Sequence, residues 1–141
     1  MLDSDLDEIM RIELEAYPHP WTRGIFDDCL KSKYSCWVGE CNGQVDSYAV
    51  MGLAAGECHL LNLCVRQDRQ GQGQGAKMLK HVLSVVRSCN VDMMLLEVRA
   101  SNRGAQQLYR SFGFDQIAER KGYYPDGNGR EDAMIYALSL L

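Results

Sequence analysis

No two of the six cysteines stand in C-x-x-C spacing. They lie at 29, 36, 41, 58, 64 and 89, and none pairs with a histidine at zinc-ligand spacing. That excludes the usual zinc clips and the thioredoxin-type redox motif. His19, His59 and His81 do not cluster either, so neither a metal site nor a catalytic histidine is expected. An excess of basic charge is also missing. Fifteen Lys and Arg face nineteen Asp and Glu, for a net charge of −4 and a sequence pI of about 5.3. A nucleic-acid binder carries a basic patch or a high pI, and neither is present. The mild acidity suits a cationic partner, although ordinary solubility charge explains it equally well. No apolar run reaches the length that crosses a bilayer, so no membrane partner is expected. The acidic opening, Met1-Leu2-Asp3-Ser4-Asp5-Leu6-Asp7-Glu8, has neither a basic nor an apolar leader region, which predicts no signal peptide. Cys36, Cys58 and Cys64 fall in strand-like runs, where cysteine packs as a small apolar residue. Six reduced thiols in a cytoplasmic protein is the resulting expectation; a secreted disulfide framework is a distant second.

What is present has a globular balance, 46% hydrophobic and 24% charged. The length of 141 residues fits one domain, 1–141, around one core. Leu6, Ile9, Met10, Glu13, Leu14 and Tyr17 keep helical spacing, and all but Glu13 are apolar or aromatic. Ser4 or Asp5 is a fitting cap, and Pro18 and Pro20 end the helix. A short second helix is expected from Thr22 through Phe26 to Leu30. The period then changes to that of strands over 35–41 and 44–53, with Asn42-Gly43 between them as a hairpin turn. A third strand covers 57–66. After a glycine-rich loop over 67–75, Met78, Leu79, Val82, Leu83, Val85 and Val86 mark a helix with a wide apolar face. The nearly continuous apolar run over 91–98 predicts a strand buried on both faces. A helix from about Asn102 carries Ala105, Leu108, Tyr109 and Phe112 on one side and ends at Gly113. Two final strands, 114–123 and 131–140, flank a turn at Pro125-Asp126-Gly127-Asn128-Gly129. The order α-α-β-β-β-α-β-α-β-β predicts a mixed α/β (α+β) sheet with helices packed on it. Its 57–98 segment is long enough for one parallel crossover.

The loop Arg69-Gln70-Gly71-Gln72-Gly73-Gln74-Gly75-Ala76 follows a strand and opens a helix. Free amides and the positive end of the helix dipole favour an anion there, and glycines admit close approach of a phosphate. An ATP-type loop requires Gly-Lys-Ser/Thr, whereas Lys77 here sits between Ala76 and Met78. A dinucleotide loop requires G-x-G-x-x-G, and Gly71, Gly73 and Gly75 have the wrong third spacing. Glu97, 24 residues past Gly73, imitates the dinucleotide acid, but about forty residues remain, too few for a second mononucleotide half. A third pattern, Gln/Arg-x-x-Gly-x-Gly/Ala, is met by Gln70, Gly73 and Gly75. A plain surface loop stays open on these residues alone.

Taken with Leu96-Glu97-Val98-Arg99-Ala100-Ser101-Asn102 and Leu108-Tyr109-Arg110-Ser111-Phe112-Gly113-Phe114, the glycine loop resembles the GNAT acetyltransferase superfamily. More narrowly, Pro20-Trp21, Tyr123-Tyr124-Pro125 and Gly129-Arg130-Glu131-Asp132-Ala133 resemble the RimI-type ribosomal-protein-alanine N-acetyltransferases. The resemblance implies a GNAT fold: a mixed, mostly antiparallel sheet, flanked by helices and splayed between its fourth and fifth strands. It implies acetyl-CoA in the splay and no metal. The family opens with a full first strand, whereas only Met1 to Ser4 precede the first helix here, so that edge strand is expected to be short or missing.

Roles follow from the same resemblance. An α-amine has a pKa of about 7.7–8.0, so its deprotonation near neutral pH needs only modest help. Glu97 is the implied general base, directly or through water. Tyr109 is the implied acid for the CoA thiolate; seven residues after Asn102, it shares that residue's helix face about 10 Å along the axis. A structural or surface carboxylate is the alternative for Glu97, and a core aromatic is the alternative for Tyr109. Cofactor contacts fall to Gln70, Gly71, Gln72, Gly73, Gln74, Gly75 and Ala76, to Asn102, which also suits a helix cap, and to Leu63, Cys64 and Val65. A backbone N–H of that last stretch is the implied donor to the tetrahedral oxyanion. Trp21, Tyr123, Tyr124 and Glu131 lie in segments that line the peptide groove in relatives, and acidic residues there suit an arginine in the substrate. The implied acceptor is the N-terminal segment, a basic peptide, of small-subunit ribosomal protein eighteen, acetylated on its alanine. Another protein N-terminus, a lysine or a small-molecule amine stays open.

Overall fold

The computed structural model describes every residue except Asn128. Helix α1 spans Leu6–Ala16 and α2 spans Arg23–Lys31. Strands β1 (Ser35–Cys41), β2 (Gln44–Ala54) and β3 (Glu57–Val65) follow, then α3 (Gln74–Arg87), β4 (Met93–Arg99), α4 (Arg103–Ser111), β5 (Asp115–Asp126) and β6 (Gly129–Ser139). The expected turn lies between the last two strands, and its Asn128 is outside the described residues.

Among the described residues, six strands make one sheet in the order β1-β2-β3-β4-β6-β5. Every neighbouring pair is antiparallel except β3–β4, the product of the α3 crossover. No strand precedes α1. Asp3–Asp5 is a 3-10 turn, and the Met1 ammonium donates to the Cys36 carbonyl at 3.0 Å. Asp5 caps that turn rather than α1: its carboxylate accepts from the Leu2 amide at 2.7 Å and makes no cap to the helix. With that strand missing, the splay expected between strands four and five falls between β3 and β4.

The splay has a local cause. Parallel pairing runs from Glu57↔Met93 to Leu60↔Leu96 and stops there. On its other side, β3 carries a bulge at the same point: Met51 faces Leu60, Val50 faces Asn62, and Leu61 is left unmatched. A bulge bends and twists its strand, and residues 61–65 leave β4 behind. A wedge opens between the two strand ends.

Helices cover the two faces unequally. On one face, Met78, Leu79, Val82, Leu83 and Val86 of α3 and Tyr109 of α4 pack with Ala49, Met51, Leu60, Leu96 and Tyr136. On the other, Leu6, Ile9 and Ile12 of α1 and Phe26 of α2 cover Val45, Tyr48, Val50 and Cys64. Ile12 replaces Leu14 in the α1 face; Leu14 is exposed. β4 departs from the expectation of burial on both faces. Met94, Leu96 and Val98 are buried, whereas Met93 and Glu97 are exposed. Helix α4 covers only one side there, so Glu97 looks outward into the wedge. All six cysteines are free thiols. Among the described residues, no helix is long and apolar enough to cross a membrane.

Candidate active site

The wedge is a cleft of about 360 Å³. Leu61, Asn62 and Leu63 of β3 form one wall, and Glu97, Val98 and Arg99 of β4 form the other. Tyr109, Ala105 and Asn102 close it from α4, and Glu13, Tyr17, His19 and Trp21 from the α1–α2 side. Glu97, Tyr109, Asn102, Leu63, Trp21 and Tyr124 therefore share one cavity, although they come from four separate stretches of chain: the α1–α2 segment, β3, the β4–α4 unit and β5.

Glu97 stands at the mouth, its side chain about one-third exposed, with the Arg120 guanidinium 3.9 Å away. An exposed pair at that distance adds little stability. The same carboxylate, through hydrogen bonding first and then its charge, raises the pKa of Tyr123. Tyr109 is 6% exposed and packs edge-on against Phe114 at 5.7 Å between centroids. Burial, and then the neighbouring Tyr124, push its hydroxyl pKa well above the ordinary phenol value. It therefore stays protonated throughout the physiological range. Tyr124 is itself pushed up to about 12, chiefly by burial.

The glycine loop is shaped for backbone donation. Residues 67–69 form a 3-10 turn, and the Gln70 side chain donates to the Val65 carbonyl at 3.1 Å, holding the loop to the end of β3. The Gln72 side chain turns back to the Asp68 carbonyl at 3.3 Å. Gly71 and Gly73 take φ of +75° and +87°, and a Cβ at either would meet nothing within 4 Å. Conformation demands glycine there, and the space over the loop is open. Gly73 precedes α3, so Gln74, Gly75 and Ala76 belong to the first helical turn, whose amides lack intrahelical partners. Gly75 has a different reason: a Cβ would stand 3.3 Å from Leu108 and 3.7 Å from Val65, so glycine lets α3, α4 and β3 meet. A pyrophosphate fits this open cradle of amides. Gly73→Ala should lower stability by about 1–2 kcal/mol through the left-handed backbone alone, read as a fall in Tm.

Other expected residues find different surroundings. The Cys64 side chain lies in the α1/α2 core, its thiol raised to about 11, first by burial, so only its backbone is available to a ligand. The Leu63 carbonyl already accepts the Tyr17 hydroxyl at 2.9 Å. Asn102 caps α4 by accepting from the Ala105 amide at 3.2 Å. Glu131 does not line the cleft. One oxygen accepts from Arg99 at 3.2 Å and the other from the Ser101 amide at 2.9 Å. These bonds, that from Ser101 first, hold its carboxyl below the usual range. Its oxygens are thus engaged within the protein, and it ties the β5–β6 hairpin to the β4–α4 corner. Arg99 lies over the Tyr124 ring, 4.5 Å from its centroid, and fixes it at the rim.

Two buried polar residues escape a reading by pattern. Gln106 donates to the Arg99 and Ala100 carbonyls at 3.2 and 2.9 Å and accepts from the Tyr136 hydroxyl at 3.2 Å, anchoring α4 where Tyr109 is presented. Glu13 is 1% exposed and lines the cleft. Its one signal was to be the single polar residue on an apolar helix face.

The family profile described as Acetyltransferase (GNAT) family matches residues 6–114. A ribosomal protein bS18-alanine N-acetyltransferase of Escherichia coli K12 is 36% identical over 137 residues, covering 97% of this chain and 93% of the relative. One from Haemophilus ducreyi is 34% identical over 141 residues, covering 99% and 97%. The crystal structure of the ribosomal-protein-S18-alanine N-acetyltransferase from Escherichia coli superposes with a TM-score of 0.93 at 35% identity, covering 99% of this chain and 90% of that one. Ard1 from Thermoplasma volcanium, at 24% identity and a TM-score of 0.92, shares the fold. With the profile spanning most of the chain and relatives above 30% identity along nearly all of it, the protein belongs to the GNAT family of acetyltransferases and is an N-acetyltransferase.

Proposed function

We propose that this enzyme, one domain over 1–141, acetylates the N-terminal alanine of ribosomal protein bS18, with acetyl-CoA as donor, by direct transfer in the β3–β4 cleft. The observation that carries the reading is the meeting of Glu97 and Tyr109 in one cavity. The activity printed for the relatives supports the acceptor. Acetyl-CoA, when bound, supplies an activated thioester carbonyl. The amides of residues 71–76 hold its pyrophosphate, with Gln70 fixing the loop and Asn102 beside the pantetheine arm. Glu97 accepts the proton of the incoming ammonium, directly or through water; its exposure admits that water. A backbone N–H within 63–65 donates to the carbonyl oxygen as charge builds. The C–N bond forms and the C–S bond breaks, the nitrogen gives its second proton to solvent, and Tyr109 donates a hydrogen bond to the departing thiolate. Its raised pKa guarantees the proton but makes full transfer uphill, so it acts first as a hydrogen-bond donor. Trp21, Tyr123 and Tyr124 flank the acceptor. Glu131 is engaged by Arg99 and Ser101 and so is not the acid that meets an arginine in the substrate.

The test is turnover of an Ala-Arg-Tyr peptide with acetyl-CoA. Acetylation at the α-amine supports the reading; turnover of lysine or small amines alone overturns it. The pH profile gives a second expectation. Wild-type kcat/KM should change little across the peptide amine's pKa of about 7.7–8.0, because Glu97 takes the ammonium's proton on the enzyme, and should stay level to about pH 10, since the raised Tyr109 keeps its proton throughout.

A further inference from the structure

Glu13 is a buried carboxylate neutralised only by hydrogen bonds. One oxygen accepts from the Tyr48 hydroxyl at 2.5 Å and the Asn62 side-chain amide at 3.2 Å; the other accepts from the backbone N–H of Trp21 at 2.9 Å. Among the described residues no cation comes within ion-pair distance of it. A charge held this way is expensive unless every bond is made, so its position is over-determined. Its donors come from three elements: β2, the splayed part of β3, and the segment between α1 and α2. The Tyr17 hydroxyl adds a second tie from that segment to β3, at the Leu63 carbonyl. The Trp21 ring then packs at a tilt against Phe26 at 5.1 Å, and Phe26 packs edge-on against Tyr48 at 5.7 Å. Trp21 is held by its backbone through Glu13 and by its ring through Phe26.

Resting on the reading of the cleft as the acceptor site, we propose that Glu13 is a positioning residue for the acceptor: it fixes Trp21 and the splayed strand at the spacing that admits the substrate amine to Glu97. Glutamine is nearly isosteric and exposes the logic. Its carbonyl satisfies Tyr48 and Asn62, which leaves its NH₂ facing the Trp21 N–H, donor against donor. The tie lost is the one to the acceptor wall, while the coenzyme loop is left unaltered.

Two readouts test this in a Trp37→Phe background, where Trp21 is the sole tryptophan. Glu13→Gln should raise the KM for the peptide at least about fivefold, with kcat and the KM for acetyl-CoA within about twofold. Acrylamide quenching of Trp21 fluorescence should rise in parallel. An unchanged peptide KM in folded protein, or an equal rise in both KM values, overturns the proposal. If Glu13→Gln does not fold, Tyr48→Phe removes one donor and leaves the Trp21 bond. It should then shift peptide KM and quenching in the same direction by a smaller factor, and no shift in either overturns the proposal. A wild-type enzyme that fails to turn over the peptide overturns the acceptor reading instead, and Trp21 quenching still tests whether Glu13 holds that wall.

Discussion

Replacing Glu97 with glutamine lowers kcat/KM for the peptide by about a hundredfold at pH 7, the lower end of the range for losing a general base. The modest size follows from the substrate. An α-amine of pKa about 7.7–8.0 already has a sizeable neutral fraction at that pH. For the same reason the deficit should shrink toward pH 9, where solvent has removed the proton. A carboxylate that merely bound the substrate's positive charge would show its loss in the peptide KM with kcat unchanged, whereas losing a base lowers kcat. Steady-state rates of wild type and Glu97→Gln between pH 6.5 and 9.5 separate the two roles. Glu97 lies on the exposed side of β4 with Arg120 only at 3.9 Å, so the substitution leaves no buried partner stranded and the fold should be unaffected.

Tyr109→Phe should reduce kcat by about one hundredfold or more while altering the peptide KM little, the signature of an interaction made only as the transition state forms. The substitution keeps the ring that packs on Phe114 and Tyr136, so Tm should move by no more than a few degrees. A purely structural tyrosine predicts the reverse: altered stability and an unchanged rate. Single-turnover kinetics with saturating acetyl-CoA isolate the chemical step from product release. Unlike the Glu97 deficit, this one should persist across pH 6.5–9.5, because a phenol held far above its ordinary pKa donates equally well at either end.

The order of elements was legible because each carries its own period. The α3 face, the hairpin at Asn42-Gly43 and the cap at Asn102 are local facts of the chain. Motif resemblance singles out Glu97 and Tyr109, and topology brings those two to one wedge. The expectation of burial on both faces of β4 fails because an apolar run says nothing about which helices arrive. Helix α4 covers only one side, and Glu97 needs the other open. Glu13 illustrates a deeper limit. A carboxylate on an apolar helix face reads as a break in the pattern until Tyr48, Asn62 and the Trp21 amide converge on it from 8 to 49 residues away. Glu131 is the converse case. Its acidity suggests a substrate contact, but Arg99 and Ser101, some 30 residues earlier, engage it first. The bulge at Leu61, which opens the cleft, depends on register between two strands and leaves no mark in composition.

The measurement closest to the centre of this account is a crystal structure with a CoA–alanyl-peptide bisubstrate analogue. The account predicts the pyrophosphate on the amides of residues 71–76, the sulfur within hydrogen-bond reach of the Tyr109 hydroxyl, and the alanine nitrogen facing Glu97 directly or across one water. An analogue seated outside the β3–β4 wedge, or a sulfur with Tyr109 and Glu97 turned away from it, would contradict it.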